Sequence, residues 1–248
     1  MTPLRLTAFL DYPEEVFEAG SDFWSAVTGW PRSPQRGEHH QFATLVPTTG
    51  TDYLRVQRLG GGAPRVHLDL QVTDLDPAVA EARDLGATVV GAPYDDVTIL
   101  SSPGGFVFCL VPGVPGERPE PTSWPGGHTS YVDQVCLDIP PSRYAAELDF
   151  WSDLTGWKRR DPRPGSEFGR VTPAPDQPLQ LLLQRLDDEQ DAVTAHLDWA
   201  TSDVGSEVER HLAAGARLEK SFDHWTVLRD PAGMPYCITH RRPGERGE

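Results

Sequence analysis

The chain has only three cysteines in 248 residues, Cys109, Cys136 and Cys237, and none of them forms a Cys-x-x-Cys pair. A sparse, odd-numbered set favours reduced thiols in the cytoplasm over a disulfide framework. The sequence also lacks any apolar stretch of the ~18 residues that a membrane-spanning helix needs. Residues 1–6 have no apolar core of the secretory type. We therefore expect a cytoplasmic protein that has no membrane partner.

Positive charge is scarce, because 22 basic residues face 37 acidic ones and leave a net charge of -15. Nucleic-acid binding requires basic residues clustered on one face, and no such cluster is visible, so we expect no nucleic-acid partner. The glycine-rich phosphate-binding motifs and the Gly-x-Ser-x-Gly nucleophile motif are also missing. These absences argue against nucleotide binding and against serine-hydrolase chemistry of the common type.

The sequence does contain an internal repeat. The octapeptide FWSAVTGW at residues 23–30 returns as FWSDLTGW at 150–157, and His-Leu-Asp at 67–69 returns at 196–198. The matches keep their order, and the spacing between them drifts by only two residues. Self-similarity of this kind indicates two copies of one fold unit.

A proline- and glycine-rich stretch separates the two copies. Residues 112–127 contain five prolines and four glycines, which is typical of a semi-rigid linker. We predict a first domain over residues 1–112, a linker over 113–128 and a second domain over 129–242.

The pattern within each copy predicts the order β-α-β-β-β twice over. The first helix of each copy, at about 13–28 and 142–155, ends at a glycine, Gly29 or Gly156. In the second half of copy one, Asp76 and Pro77 are predicted to cap a helix and to open its first turn. Each such unit has one sheet face covered by its helix, so two units should pair to enclose a cavity suited to a small ligand.

These motifs carry a family resemblance. The runs Phe-Trp-x-x-x-Thr-Gly-Trp, His-Leu-Asp-x-x-x-x-Asp and Pro-x-Gly-x-x-x-Cys resemble the vicinal-oxygen-chelate superfamily, which includes glyoxalases, bleomycin-resistance proteins and extradiol dioxygenases. The chain is most similar to the bacterial glyoxalase-like domain proteins. The resemblance implies an α+β fold of two tandem glyoxalase-like domains, each built from two βαβββ units that form a curled sheet with a central cavity. It implies the fold and leaves the reaction open, because this superfamily hosts several chemistries.

The resemblance also implies where a divalent metal would be held, on the first, fourth, fifth and eighth strands of each copy. At these positions the family's closing carboxylate and first-strand histidine are missing from both copies. The resemblance therefore implies a degenerate, metal-free site without a cofactor; the alternative is a divalent metal at His67 or His196. In strand order, the positions carry Thr7, Gln57, His67 and Cys109 in copy one, and Gln134, Gln184, His196 and Cys237 in copy two.

Two further features complete the candidate site. Asp69 and Asp198 each follow a histidine by two residues, and strand alternation puts the pair on one face, as hydrogen-bond partners or as ligands. Trp225 precedes a late strand of copy two, where it either contacts a ligand or lies at the surface. The alternatives are that the histidines are hydrogen-bonded cavity-wall residues and that the cysteines are small buried fillers.

Three functions fit these observations. The first is a small-molecule binding protein of the glyoxalase and bleomycin-resistance type, whose partner is a small organic ligand. The second is a lyase, isomerase or dioxygenase-type enzyme that uses the His-x-Asp pairs with or without a divalent metal, and the third is an interaction module with a residual cavity. Because the second copy is supplied in cis, we expect a monomer with an internal pseudo-dimer, or a homodimer.

Overall fold

The computed structural model describes residues 1–245 and shows an α+β protein with two sheets and four α-helices in that range. The helices are α1 (Glu14–Thr28), α2 (Leu75–Asp84), α3 (Tyr144–Thr155) and α4 (Val204–Ala213), with a short 3-10 turn at Pro141–Arg143. The strands of the first sheet are β1 (Arg5–Pro13), β2 (Phe42–Leu45), β3 (Leu54–Leu59), β4 (Arg65–Val72), β5 (Thr88–Tyr94), β6 (Val97–Ser101) and β7 (Val107–Pro112). Those of the second are β8 (Thr122–Ser123), β9 (Thr129–Ile139), β10 (Lys158–Arg160), β11 (Phe168–Thr172), β12 (Gln180–Arg185), β13 (Thr194–Thr201), β14 (Arg217–Ser221), β15 (Trp225–Arg229) and β16 (Pro235–Thr239).

The two sheets have matching strand orders. The first runs β2-β3-β1-β4-β7-β6-β5 and the second runs β10-β11-β12-β9-β13-β16-β15-β14, with β8 added beside β9. In both, the strand that carries the His-Leu-Asp motif runs parallel to the closing strand of its copy, as β4 with β7 and β13 with β16. The predicted fold class is therefore confirmed.

The first module of copy one departs from the βαβββ pattern. Where the other three modules have a third strand, it has only two isolated bridges, Arg32 to Leu45 and Arg36 to Phe42. The bridging segment contains Pro31 and Pro34, which have no N–H to donate, so the ladder along β2 is interrupted there.

The predicted helix ends are largely confirmed. Gly29 and Gly156 follow α1 and α3 with φ of 70° and 63°, a left-handed conformation that glycine adopts without steric cost. The cap predicted at Asp76 is wrong, because α2 begins at Leu75 and its N-cap is Asp74, two residues before the predicted cap. Pro77 is accommodated in the first turn, where backbone N–H groups have no partner within the helix.

Contacts divide the chain into two compact units, and each unit joins one module from each repeat. The first unit comprises Met1–Ala8, His67–Glu117 and Val135–Ala195. The second comprises Phe9–Val66, Arg118–Gln134 and the chain from His196. The domain boundaries drawn from the repeat remain a prediction about sequence organisation.

The repeated Phe-Trp motif lies in the core of both units. Trp24 and Trp151 are wholly buried, and each indole N–H donates to a buried carboxylate. In the second unit, Trp24 Nε1 is 3.0 Å from Asp230 Oδ2, and in the first, Trp151 Nε1 is 2.8 Å from Glu147 Oε2. A buried polar group must be hydrogen-bonded to avoid a desolvation penalty, so each tryptophan fixes a carboxylate inside its unit.

Candidate functional site

The polar face of β4 carries the candidate residues of copy one. His67 and Asp69 are each 8% exposed, whereas Leu68 and Leu70, which alternate with them on the other face, are wholly buried. Cys109 on β7 is 7% exposed and is the register partner of Asp69 in the parallel β4–β7 pair. The first site is hereafter the set His67, Asp69 and Cys109.

Three different donor types meet in the first site. An imidazole nitrogen, a carboxylate oxygen and a thiol sulfur all lie within 4.8 Å of one another. The separation of His67 Nε2 from Asp69 Oδ1 is 3.7 Å, which is longer than a hydrogen bond. The arrangement can donate, accept and present a polarisable sulfur to one small ligand.

Thr7 and Gln71 extend the polar surface of the first unit. Gln71 continues the row of His67 and Asp69 along β4, and its Nε2 donates to Thr7 Oγ1 at 3.2 Å. Both side chains are buried. The Thr7 oxygen is therefore engaged as an acceptor within the protein.

In copy two, His196 and Asp198 also form a pair, but other groups surround their carboxylate. His196 Nε2 is 3.3 Å from Asp198 Oδ1, and Gln134 Nε2 donates to Asp198 Oδ2. Cys237 is the register partner of Asp198. The second site is hereafter the set Gln134, His196, Asp198 and Cys237.

A buried acceptor in the second site is left over. Because the amide nitrogen of Gln134 faces the Asp198 carboxylate, its Oε1 points elsewhere, and this oxygen is buried without a hydrogen-bond partner among the described residues. An unsatisfied buried acceptor of this kind is rare in proteins. A ligand N–H or O–H that reached Gln134 Oε1 would satisfy it.

A buried arginine adds positive charge to the second site. Arg241 contacts Asp133, and its Nη1 is 4.0 Å from Asp198 Oδ2. Burial raises the pKa of Asp198, but the hydrogen bond and charge of His196, with Arg241 and Gln134, outweigh it and hold this pKa below its usual value. Asp198 is therefore an ionised group compensated within the protein.

The remaining predicted residues lie on other strands. Gln57 on β3 is half-buried opposite Phe42 in the second unit. Gln184 on β12 belongs to the first unit, where its Oε1 is 3.7 Å from the Cys136 thiol. Trp225 begins β15 in the second unit and stacks on Phe222 with ring centroids 4.7 Å apart.

The structure brings polar groups to these sites that the sequence did not single out. Gln71 could have been found, because it continues the two-residue alternation of His67 and Asp69. Asp133 and Arg241 carry no comparable signal, since an Asp beside Gln134 and an Arg near the end of a basic tail look like surface residues. Their pairing depends on contacts between segments 108 residues apart.

Fold and sites together define a protein of the vicinal-oxygen-chelate type. The chain belongs to the glyoxalase-like domain family, whose model matches residues 8–111 and again residues 134–239. No curated protein matches the chain significantly.

Solved structures of the same fold are similar over nearly the whole chain. A mutant of 4-hydroxymandelate synthase from Streptomyces coelicolor has 15% identity and a TM-score of 0.67, with 99% of this chain and 94% of that chain covered. The Mn(II)-bound glyoxalase from Novosphingobium aromaticivorans has 14% identity and a TM-score of 0.66, with coverages of 96% and 82%. The 2,3-dioxygenase LapB from Pseudomonas sp. KL28 has 13% identity, the same TM-score, and coverages of 96% and 92%. At these identities the likeness establishes the fold alone.

Within residues 1–245, no helix is both long enough and apolar enough to cross a membrane. The three cysteines all lie in this range, and none of them forms a disulfide.

Proposed function

We propose that the chain binds a small organic molecule at the first site. The second site is related to it, but its carboxylate is already engaged by groups of the protein. The observation that carries this proposal is the first site's combination of convergence and access. His67, Asp69 and Cys109 meet within 4.8 Å on a face of β4 and β7 where each of them keeps 7–8% of its surface exposed. The alternating Leu68 and Leu70 on the other face of β4 are wholly buried, as expected of side chains that serve only the core.

The chemistry of the site indicates the class of ligand. An imidazole and a carboxylate side by side recognise a hydroxyl, an amide or a cationic nitrogen, while the thiol tolerates an apolar edge. A compact amphipathic molecule with at least one hydrogen-bond donor therefore fits better than a phosphate or a polyanion.

A thermal-shift screen of small polar and amphipathic compounds tests this proposal. A ligand of the folded state raises stability by about RT ln(1 + [L]/Kd), so a compound at 100 Kd adds roughly 2.7 kcal/mol. The paired variants are His67→Ala and the equivalent substitution His196→Ala in the other repeat. Stabilisation lost in His67→Ala and retained in His196→Ala is the expected result, and a panel with no stabilising compound would contradict the proposal.

A second candidate function is a metal-dependent lyase, isomerase or dioxygenase-type reaction, which the donor set of the first site favours. Histidine, carboxylate and thiolate are all zinc ligands, and tetrahedral bonds of about 2.0–2.3 Å place ligand atoms roughly 3.3–3.8 Å apart. For a nitrogen and an oxygen ligand the expected separation is about 3.3–3.5 Å, so the 3.7 Å between His67 Nε2 and Asp69 Oδ1 requires only a small side-chain adjustment. The same three residues would hold the ion, and Asp69 would supply the carboxylate that the closing strand lacks.

A zinc ion held there would act as a Lewis acid on a bound carbonyl or hydroxyl oxygen. The second site fits a cation less well, because Arg241 lies beside Asp198 and the Gln134 amide already occupies that carboxylate. The repeat places Gly113 at the position of Arg241, so copy one has no cation there.

Metal analysis of protein purified without a histidine tag separates the two candidates. The metal-dependent function requires close to one equivalent of a divalent ion that is lost in Cys109→Ser and retained in Cys237→Ser. Less than about a tenth of an equivalent in protein reconstituted with zinc would leave only the metal-free binding function.

A further inference from the structure

A row of paired residues connects the second site with the edge of its sheet. Residues that pair directly across neighbouring strands present their side chains on the same face. From the site outward, the pairs are Asp198 with Cys237, Cys237 with Val227, and Val227 with Lys220. The row therefore crosses β13, β16, β15 and β14 on the face that carries the second site, and all four residues belong to the second unit.

Exposure and charge both change along this row. Asp198 and Cys237 are only 3% and 6% exposed, Val227 is half-buried, and Lys220 is exposed. The sealed end carries a carboxylate whose charge is compensated by His196 and Arg241, whereas the open end carries an ammonium group. A negatively charged group of a ligand is therefore attracted to the open end of the row.

The Lys220 ammonium is available to such a group. Its Nζ lies 4.5 Å from the centre of the Phe222 ring, and no carboxylate within residues 1–245 pairs with it. The nearby Arg229, in contrast, forms an ion pair with Glu219. Lys220 is thus the cation of this edge whose donors remain open to a ligand.

Two aromatic rings border the ammonium. Trp225 lies two residues before Val227 and pairs with Thr239, so strand alternation places its side chain on the same face as the row. Phe222, which stacks on Trp225, is 40% exposed. Lys220, Phe222, Trp225 and Val227 are hereafter the rim of the second site.

The equivalent row of the first sheet has no such rim. From its polar end outward, it consists of Asp69, Cys109, Ile99 and Gly91. Gly91 thus takes the place of Lys220, and the repeat offset of 128 residues puts Val97 in the place of Trp225. The two copies share the carboxylate and the thiol of the row, but at the open end a cation and an indole replace a glycine and a valine in the second copy.

We propose that the rim of the second site binds an aromatic organic anion. The ring of the ligand packs against Trp225 and Val227, and its anionic group accepts hydrogen bonds from the Lys220 ammonium, which has three donors. Aromatic contacts contribute beyond the area that they bury, and a hydrogen bond between two charged groups is stronger than a neutral one. This ligand differs in charge from the compact hydrogen-bond donor proposed for the first site, and its binding is independent of that proposal.

Equilibrium dialysis of the full chain with 2-naphthoate, and with the neutral 2-naphthamide as its counterpart, tests this proposal. We expect saturable binding of the naphthoate and about tenfold weaker binding of the amide, which cannot form the charge-assisted interaction. Lys220→Met removes the charge and keeps the length of the side chain. It should weaken naphthoate binding about tenfold and leave amide binding unchanged.

The chain offers a matched control because it contains only two lysines, Lys158 and Lys220. Lys158→Met makes the same change in net charge within the first unit and should leave naphthoate binding unchanged. Trp225→Leu should weaken the binding of both probes by a similar factor, because the contact with the ring does not depend on charge. Thermal unfolding of each variant establishes that it is folded.

Three results would overturn the proposal: no saturable binding of naphthoate to the wild-type chain, equal binding of naphthoate and amide, or equal weakening in the two lysine variants. Naphthoate binding that is lost in His67→Ala and retained in Lys220→Met would also contradict it, since the anion would then lie at the first site. Failure of the proposal for the first site, by comparison, changes none of the results expected here.

Discussion

At the scale of single residues, the surroundings of two buried glutamates, Glu207 and Glu147, shift their pKa values in opposite directions. Glu207 on α4 is wholly buried and lies 2.8 Å from His128 Nε2, 2.7 Å from Ser130 Oγ and 2.6 Å from Arg210 Nη2. Burial raises its pKa, but the hydrogen bonds and charges of His211 and Arg210 outweigh it and lower the pKa to about 2. The ionised Glu207 side chain on α4 is therefore hydrogen-bonded to His128 and Ser130, at the end of the linker.

This depressed pKa predicts a specific loss of stability in acid. A carboxyl whose pKa is lower in the folded state stabilises the protein above its unfolded pKa and loses that contribution as pH falls through the folded value. For Glu207 the window runs from about pH 4.5 down to about pH 2, and the contribution is of the order of 3 kcal/mol. Urea unfolding at several pH values should show a steeper acid decline in wild type than in Glu207→Gln, and parallel curves would contradict the assignment.

Glu147 provides the matched control with the opposite sign. Burial raises its pKa, and hydrogen bonds from Ser102, the Gly104 N–H and Trp151 only partly compensate. A carboxyl whose folded pKa is raised favours folding below its unfolded pKa, and this contribution is lost as pH rises through the folded value. Wild-type protein should therefore lose stability relative to Glu147→Gln as pH rises through that range. An equal effect of Glu147→Gln at every pH would show that Glu147 acts through packing alone.

The two His-x-Asp pairs could be predicted from sequence, but the environments of their aspartates could not. The spacing of His67 and Asp69 predicts that they share a strand face, and the repeat predicts the same for His196 and Asp198; both pairs are found. The different environments of the two aspartates could not be predicted, because Arg241 reaches Asp198 through tertiary packing alone.

At the scale of elements, the buried tryptophans of α1 and α3 both donate to a carboxylate, but the two carboxylates come from different elements. In the second unit the carboxylate comes from the turn before β16, as Asp230, and Trp24 on α1 donates to it. In the first unit the equivalent turn has Ser102, and the carboxylate comes from the helix itself, as Glu147 beside Trp151. The repeat therefore has the tryptophan in both copies, whereas the carboxylate that accepts its N–H lies in a turn in one unit and in the helix in the other.

On α1 the position equivalent to Glu147 is a glycine, and the ring of Tyr12 fills the space beside it. The repeat aligns Gly20 with Glu147, and a Cβ added at Gly20 would be 2.6 Å from the Tyr12 ring. The ring cannot shift readily, because its hydroxyl donates to Asp230 at 2.5 Å within a buried site. This close approach explains a glycine inside a helix, where it otherwise costs about 1 kcal/mol relative to alanine.

These contacts predict a reversal of sign for one substitution. Gly20→Ala should destabilise the wild-type chain by about 1–3 kcal/mol through overpacking, which outweighs the gain in helix propensity. In a Tyr12→Leu background the clash is gone, so the same substitution should be neutral or stabilising. Urea unfolding of the four proteins in this cycle measures the coupling, and a coupling energy near zero would contradict the packing described.

Elements themselves were largely predictable from sequence. The glycine stops, the strand alternation and the two Pro-x-Gly turns predict the helices and the closing hairpins, and the structure confirms them. The α2 cap and the missing third strand of the first module were not predicted. A cap is chosen by backbone geometry among neighbouring acidic residues, and a strand fails where prolines remove its donors.

At the scale of the whole molecule, each compact unit requires both repeats. In the second unit, Trp24 from copy one donates to Asp230 from copy two and stacks on Trp199 at a centroid distance of 6.1 Å. In the first unit, the Gly104 N–H of copy one donates to Glu147 of copy two at 2.6 Å. Each core is therefore built from residues of both repeats, which lie far apart in the sequence.

This organisation predicts the behaviour of half-length fragments. Residues 1–127 alone should not unfold cooperatively as a monomer, because Trp24 then loses its buried partners. Mixing this fragment with residues 128–248 should restore a cooperative transition and suppress binding of a hydrophobic dye. Circular dichroism against temperature, with sedimentation to establish the oligomeric state, provides the measurement. A monomeric 1–127 fragment with a sharp unfolding transition would contradict the prediction.

The ligand-binding role of the first site is tested most directly by the imidazole resonances of the eight histidines. In protein labelled with ¹⁵N-histidine, His67 is assigned by its absence in His67→Gln, and a compound that stabilises the protein is then titrated. Binding at the first site predicts a saturable shift of the His67 resonance, with the exposed His39 and His40 unchanged. A stabilising compound that leaves His67 unmoved while shifting other histidines would contradict the assignment of the site.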